Sequence, residues 1–347
     1  MSVGEPTPPS LSSTRAQPQE EPSGCIILKS DEIAGSSNAA SDGMPLGASC
    51  FTVLLCVLFG ANAVAIKISL AGLGIFTTAG IRFGLAAVVI FIWSLLTNKP
   101  VRVTSHQLRL MVILGLIFYV QLSLFYLGLS RTTASHGTLI SNILPFIILV
   151  LAHFFLKEEL VTAKKFIGLV LGFCGVLILF GDAGKLEQSV LQGDLFVLAA
   201  VLVWGGNAVY TKRIISTFLP NQITFYPLAI SAPLFLLSAL LFDPEMIRYV
   251  DGQIIAAMAY QTFVTASFGL IGWMMMIKRY GATTLHSFIF IMPISGVFFG
   301  VVMLGEPLTA NLIGSIVLVT LGLIVVNRTP RGLGQKKYYH YIFPGKQ

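Results

Sequence analysis

Arg82 carries the sharpest chemical demand in this 347-residue chain. It lies inside a long apolar run, where a guanidinium costs about 3 kcal/mol on insertion scales, so something must pair with it. No aspartate or glutamate is expected within any apolar run. That leaves backbone carbonyls, Asn or Gln side chains, or the anionic group of a bound solute such as a carboxylate. The competing reading is that Arg82, about six residues or roughly 9 Å of helix from the end of its run, snorkels to the lipid headgroups. Asn62 and Asn207 must satisfy both a donor and an acceptor, and each lies near a glycine that permits close helix approach. They serve either as glue between helices or as cavity lining.

Ser135, Thr138, Asn142 and Pro145 follow i, i+3, i+7, i+10 spacing, and Thr284, Ser287, Ile291 and Ser295 repeat the stripe more weakly. A polar stripe in lipid faces protein or water. Pro145 and Pro293 remove an N–H and free the carbonyls of Ser141 and Ile289, making helix kinks for packing or for a ligand. His136, His153 and His286 titrate near neutrality and are read either as proton carriers or as hydrogen-bonded structural groups. The candidate cavity set is therefore Asn62, Arg82, Gln121, His136, Asn142, Asn207, Gln261, Thr284 and His286, with Tyr126, Tyr210 and Trp273 as weaker members. No GxSG, HExxH, intramembrane aspartate pair or Walker GxxxxGK[ST] motif occurs. Cys25, Cys50, Cys56 and Cys174 show no metal-ligand spacing. No catalytic residue, metal or cofactor is expected.

The elements that must position these residues are membrane spans. The chain is 55% hydrophobic and 11% charged, with mean hydropathy +0.83, whereas a water-facing surface needs about a quarter charged residues. Residues 1–45 are Ser-, Pro-, Gly- and Glu-rich and read as a disordered tail. Beyond them, apolar runs near the roughly 20 residues that cross a bilayer as helix fall at 46–66, 76–96, 108–128, 135–156, 166–181, 193–211, 223–242, 254–277, 282–304 and 311–326. Threading ten spans puts seventeen of the 22 basic residues on the side of both termini. Only Lys67, Arg131, Lys185 and Arg248 fall opposite, and Arg82 lies within a span. The positive-inside rule makes both termini cytoplasmic, in the plasma (inner) membrane. The net charge of +7 is scattered and forms no basic stripe, so nucleic acid is not a partner. The basic tail over 329–347 faces anionic headgroups.

The first span repeats in the sixth. Phe59-Gly60-Ala61-Asn62-Ala63-Val64 and Lys67 match Trp204-Gly205-Gly206-Asn207-Ala208-Val209 and Lys212, an offset of 145. Pro145 and Pro293, with Leu156-Lys157-Glu158 and Leu304-Gly305-Glu306, match at an offset of 148. Five spans per copy is odd, so the second copy enters from the opposite face. The expected fold is an all-α polytopic membrane protein of ten transmembrane helices in two inverted five-helix repeats, 46–181 and 193–328.

Leu124-Phe125-Tyr126-Leu127-Gly128-Leu129, Thr132-Thr133-Ala134-Ser135, Pro145, Glu158 and Gly168 are similar to the signature of the EamA-type drug/metabolite transporters. So are Tyr280-Gly281-Ala282-Thr283-Thr284, Pro293, Glu306-Pro307-Leu308-Thr309 and Gly314 in the second half. The resemblance implies a ten-helix carrier with a cavity lined by the first four helices of each half and the fifth and tenth at a dimer contact. Gly168-xxx-Gly172 permits close crossing there, so a homodimer through span five is expected. The expected function is a secondary transporter for a small polar metabolite, such as an amino acid or related organic solute, exporting or exchanging by alternating access. A sugar-phosphate or nucleotide-sugar carrier is the alternative of the same plan. An intramembrane hydrolase and a non-transporting scaffold or sensor are more distant.

Overall fold

The computed structural model describes residues 1, 4, 44–155, 163–180, 187–280, 284–285 and 288–327. Two units are present, Met1–Pro45 and Leu46–Gln347, and the helices of the described residues belong to the second. The expected tails over 1–45 and 329–347 fall outside the described residues, positions 1, 4, 44 and 45 apart, as do Glu158 and His286.

In chain order the helices are α1 (Leu46–Gly60), α2 (Asn62–Gly72), α3 (Ile75–Leu96), α4 (Ser105–Arg131), α5 (Ala134–Ser141), α6 (Leu144–Phe155), α7 (Ala163–Phe180), α8 (Gln188–Ile214), α9 (Pro220–Phe242), α10 (Gly252–Ala259), α11 (Leu270–Tyr280), α12 (Ile291–Leu304) and α13 (Ala310–Asn327). A π-helical segment, Tyr260–Gly269, joins α10 to α11. Among the described residues the only β-pairing is a bridge between Leu73 and Ile247. Among the described residues seven helical stretches are long and apolar enough to cross a membrane, and three further apolar helices, Lys165–Leu179, Ile291–Leu304 and Ala310–Val326, are shorter.

Local chemistry sets the helix ends. Thr104 and Gln107 form a reciprocal capping box that opens α4. Thr133 accepts from the His136 amide and opens α5, and Asp251 accepts from Ile254 N to open α10. Gly305, at φ +67°, closes α12 in the left-handed conformation that glycine adopts without a Cβ penalty. Pro145 and Pro293 lie in the first turns of α6 and α12, where a missing N–H costs nothing. Each starts a helix after an interruption and does not bend a continuous one. Large apolar side chains such as Leu85, Val88, Phe91, Leu95, Leu116 and Val120 face outward while polar ones are buried. Backbone groups satisfied within helices make that arrangement stable in lipid.

The most extensive helix pairs join the two halves: α4 with α8, α3 with α9, and α7 with α13. Helix α8 starts beside Thr132, through Asp194, and ends near Leu110, whose carbonyl accepts from Tyr210. Helix α2 instead ends toward Thr132, whose carbonyl accepts from Lys67 at 2.5 Å. The two matching segments thus run in opposite directions through the bundle. Helix α12 lies on α1 and α5, at Gly60 and Gly296. A Cβ on Gly60 would collide with Ser295 and the Met292 carbonyl, and one on Gly296 with Thr138. Gly168 and Gly172 face Gly322, Val326 and Phe146 of the same chain. This glycine face of span five is therefore filled by α13, and a homodimer contact through span five would use its other faces.

Candidate functional site

Arg82, on α3, is 9% exposed, so it turns into the bundle and does not snorkel. Its Nη1 donates to Tyr126 Oη at 3.1 Å and to Gln261 Oε1 at 3.5 Å, and its Nη2 to Thr265 Oγ1 at 3.4 Å. The guanidinium carbon lies 5.1 Å from the Phe83 ring centroid, a cation–π distance. Thr265 Oγ1 is in turn 3.1 Å from Asn62 Oδ1. Gln261 Nε2 donates to Ser69 Oγ at 2.7 Å and Ala65 O at 3.1 Å. Asn62, Arg82, Tyr126 and Gln261, all expected from sequence to line the cavity, are brought together here from both halves.

Local irregularity makes the meeting possible. Asn62 opens α2 immediately after the break at Ala61. Gln261 and Thr265 lie in the π segment, whose wider i→i+5 winding keeps a four-residue spacing on one face; such segments recur at functional sites. Thr265 was not among the sequence candidates, although its i+4 relation to Gln261 was a legible signal. Gln121 and Asn207 form a second contact between halves, with Asn207 Nδ2 donating to Gln121 Oε1 at 2.8 Å. Thr211 Oγ1 lies 3.4 Å from Asn207 Oδ1.

The acidic groups among the described residues gather at one end of the bundle. Asp194 is fully buried on α8; it accepts from the Thr132 hydroxyl and lies 2.9 Å from His136 Nδ1. This corrects the expectation that no acid lies within a span: Asp194 is the second residue of the run at 193–211, and its carboxylate turns inward to bonded partners. Glu306 accepts from Ala134 N at 2.5 Å and Ser135 N at 2.8 Å, where the positive end of the α5 dipole favours an anion. Asp243 does the same for α3 through Phe76 N at 3.3 Å, Thr77 N at 2.8 Å and Thr77 Oγ1 at 2.8 Å. Arg248 Nη2 donates to the carbonyls of Leu70 at 2.6 Å and Leu73 at 3.0 Å. Each of these bonds crosses from one half to the other. A cavity of about 860 Å³ opens at this end, lined by Lys67, Leu70, Leu127, Arg131, Asp243 and Arg248 among others.

The remaining candidates stand apart. Asn142 Nδ2 donates to Thr138 O at 2.8 Å within its own helix end. Thr284 is exposed, His153 is an exposed residue of α6 stacked edge-on to Phe154, and His286 lies outside the described residues. Among the described residues no three His, Cys, Asp or Glu side chains are grouped to hold a metal ion. A guanidinium bordered by hydroxyl and amide groups, inside a bundle with charged links at one end, suits reversible binding of a polar solute.

The model of the EamA-like transporter family matches residues 46–181 and 191–328. This chain belongs to the EamA-like transporter family. It is a multi-pass integral membrane protein and a transporter, not an enzyme. It is 28% identical over 261 residues to the "Uncharacterized transporter YyaM" of Bacillus subtilis, covering 72% of this chain and 84% of that one. It is 26% identical over 298 residues to the "Probable amino-acid metabolite efflux pump" of Salmonella typhimurium, covering 81% and 97%. A solved crystal structure superposes with TM-score 0.59 over 81% of this chain and 96% of the other, and at 18% identity that likeness speaks for the fold alone.

Proposed function

We propose that this transporter moves a small polar solute of the amino-acid class, by export or exchange, through alternating access of two inverted halves. The observation that carries the reading is the buried polar cluster at Arg82, assembled from α2, α3, α4 and the π segment. Buried polar groups between repeats of opposite orientation supply a site that rocking can present to each face in turn. The names of the Salmonella and Escherichia coli relatives, both "Probable amino-acid metabolite efflux pump", support the solute class. Among the described residues Arg82 is the one cation hydrogen-bonded in this cluster, which disfavours doubly charged phosphate cargo. In this reading all ten helices cross the membrane, the three shorter ones included. The excess of Lys and Arg on one side places both termini in the cytoplasm, in the plasma (inner) membrane.

The test compares the solutes retained by cells with and without the protein, followed by counterflow of the leading compounds in proteoliposomes. Accumulation differences in amino acids or their derivatives, reproduced as counterflow, are expected. Absence of flux for every differing solute refutes the reading. A homodimer through span five is checked by oxidative crosslinking in native membranes through Cys174, which is exposed on α7. A Cys174-dependent dimer band is expected.

A further inference from the structure

We propose that Arg82 is the anchor for a carboxylate on the transported solute, so that recognition runs through the acid group and not through an amine. This deepens the transporter reading above and rests on it.

The guanidinium is buried and left without a counter-charge. Among the described residues no salt bridge reaches it, and the carboxylates Glu187, Asp194, Asp243, Glu245, Asp251 and Glu306 belong to the end where Lys67 meets Thr132. Its neutral partners are loosely engaged. Only the 3.1 Å bond to Tyr126 is within the usual N–H···O range, and those to Gln261 and Thr265, at 3.5 and 3.4 Å, are stretched. A guanidinium carries five N–H donors in a planar fork, and here the buried Nε has no partner at all. Donors in this arrangement match a carboxylate, which accepts two parallel bonds from one fork. The hydroxyls of Tyr126 and Thr265 can rotate to donate to the same ligand.

The large end cavity reaches the chain neighbours of this cluster. Leu70 and Leu127 line the large end cavity. Each is the chain neighbour of a cluster member, Ser69, which accepts from Gln261, and Tyr126. In this conformation the guanidinium is sealed from solvent, and separation of the halves exposes it, because Arg82 comes from the first half and Gln261 and Thr265 from the second. An ammonium group arriving beside Arg82 meets like charge and no carboxylate. The solute's acid is therefore required, and its amine is not.

Full-length protein in proteoliposomes is assayed for counterflow with the L-amino acids, each beside its carboxamide, its decarboxylated amine and its 2-hydroxy acid. Exchange confined to solutes bearing a carboxylate is expected, with 2-hydroxy acids accepted and carboxamides reduced at least about tenfold, the scale of one charge-assisted hydrogen bond. Arg82→Gln should erase the preference for acid over amide, and Arg82→Lys should restore part of it. Monodisperse elution and a cooperative thermal melt of the Arg82→Gln protein tell a lost preference apart from misfolding. Carboxamides or amines exchanging as fast as the acids overturn the anchor while leaving transport standing, as does an acid preference that survives Arg82→Gln. Exchange of no compound in the set overturns both readings.

Discussion

Replacing Gln261 with glutamate puts a carboxylate where Oε1 now lies 3.5 Å from Arg82 Nη1. The buried charge then gains an internal partner, and a hydrogen-bonded ion pair in the interior holds its geometry strongly. Gln261→Glu should lower solute exchange at least tenfold, because the built-in carboxylate occupies the anchor; since the acid also loses the Nε2 bonds to Ser69 Oγ and Ala65 O, exchange and not the melting temperature is the readout. Unchanged exchange would contradict the role given to Arg82. Asp194→Asn acts at the other polar centre: one carboxylate oxygen that accepts from Thr132 or faces His136 becomes an amide donor. Leaving a buried partner unsatisfied costs about 1–3 kcal/mol, which thermal unfolding in detergent should register as a lowered midpoint. The need for partners at Arg82 was legible because a lone charge in an apolar run has no cheap solution. The partners themselves lie up to 183 positions away, and no local pattern connects them. Asp194 was overlooked as the second residue of the run 193–211, where a charge at a span edge is expected to reach water; the helix instead starts earlier, at Gln188, and buries it.

Helix interruptions set where those residues can meet. Gly60 ends α1 against α12, and any Cβ there strikes Ser295 and the Met292 carbonyl, the latter a backbone atom that cannot swing away. Gly206, on α8, has nothing within 4 Å of a built Cβ. Gly60→Ala should therefore destabilise by about 1–3 kcal/mol through overpacking. Gly206→Ala should be neutral or stabilise by up to about 1 kcal/mol, through reduced freedom of the unfolded chain. Parallel thermal melts of the two variants check the contrast, and equal effects would show that α1 and α12 do not approach as described. Proline and glycine made the breaks near Pro145 and Gly60 visible in sequence. The π segment at Tyr260–Gly269 carries no such mark, since YQTFVTASFG contains neither proline nor an internal glycine; its widening follows from tertiary contacts of Gln261 and Thr265. The first span was drawn too short at residue 66, because Lys67 ended the apolar window. In the structure Lys67 stays helical by donating its ammonium to the Thr132 carbonyl, and α2 runs on to Gly72.

Across the whole molecule the two ends are closed by different chemistry. At the Lys67 end the halves are joined through Asp194, Asp243, Arg248 and Glu306. At the opposite end neutral groups do the joining. Gln107 donates to Thr217 O at 2.9 Å, Gln222 to Arg102 O at 2.9 Å, and Tyr226 to Val101 O at 3.1 Å. The inverted pattern was legible because the Gly-x-Asn and Pro matches recur at nearly one offset, and lipid forces an odd-numbered repeat to flip. The unequal closure was not, since it depends on which loop residues reach helix ends across the halves. Orientation follows from the same geometry. Arg131 ends α4 beside Gln192 at the start of α8, with Nη1 donating to Oε1 at 3.3 Å, and Arg213 lies in the last turn of α8. Both are exposed, and about 30 Å or more of helix separates the two levels at 1.5 Å per residue. In a background with the four native cysteines replaced by serine or alanine, Arg131→Cys should react with an impermeant maleimide on intact cells. Arg213→Cys should react only after permeabilisation, as a cytoplasmic excess of Lys and Arg demands. Labelling of both positions from one side would place the ends of α8 in a single compartment and end the case for halves of opposite orientation, and with it the alternating route to Arg82.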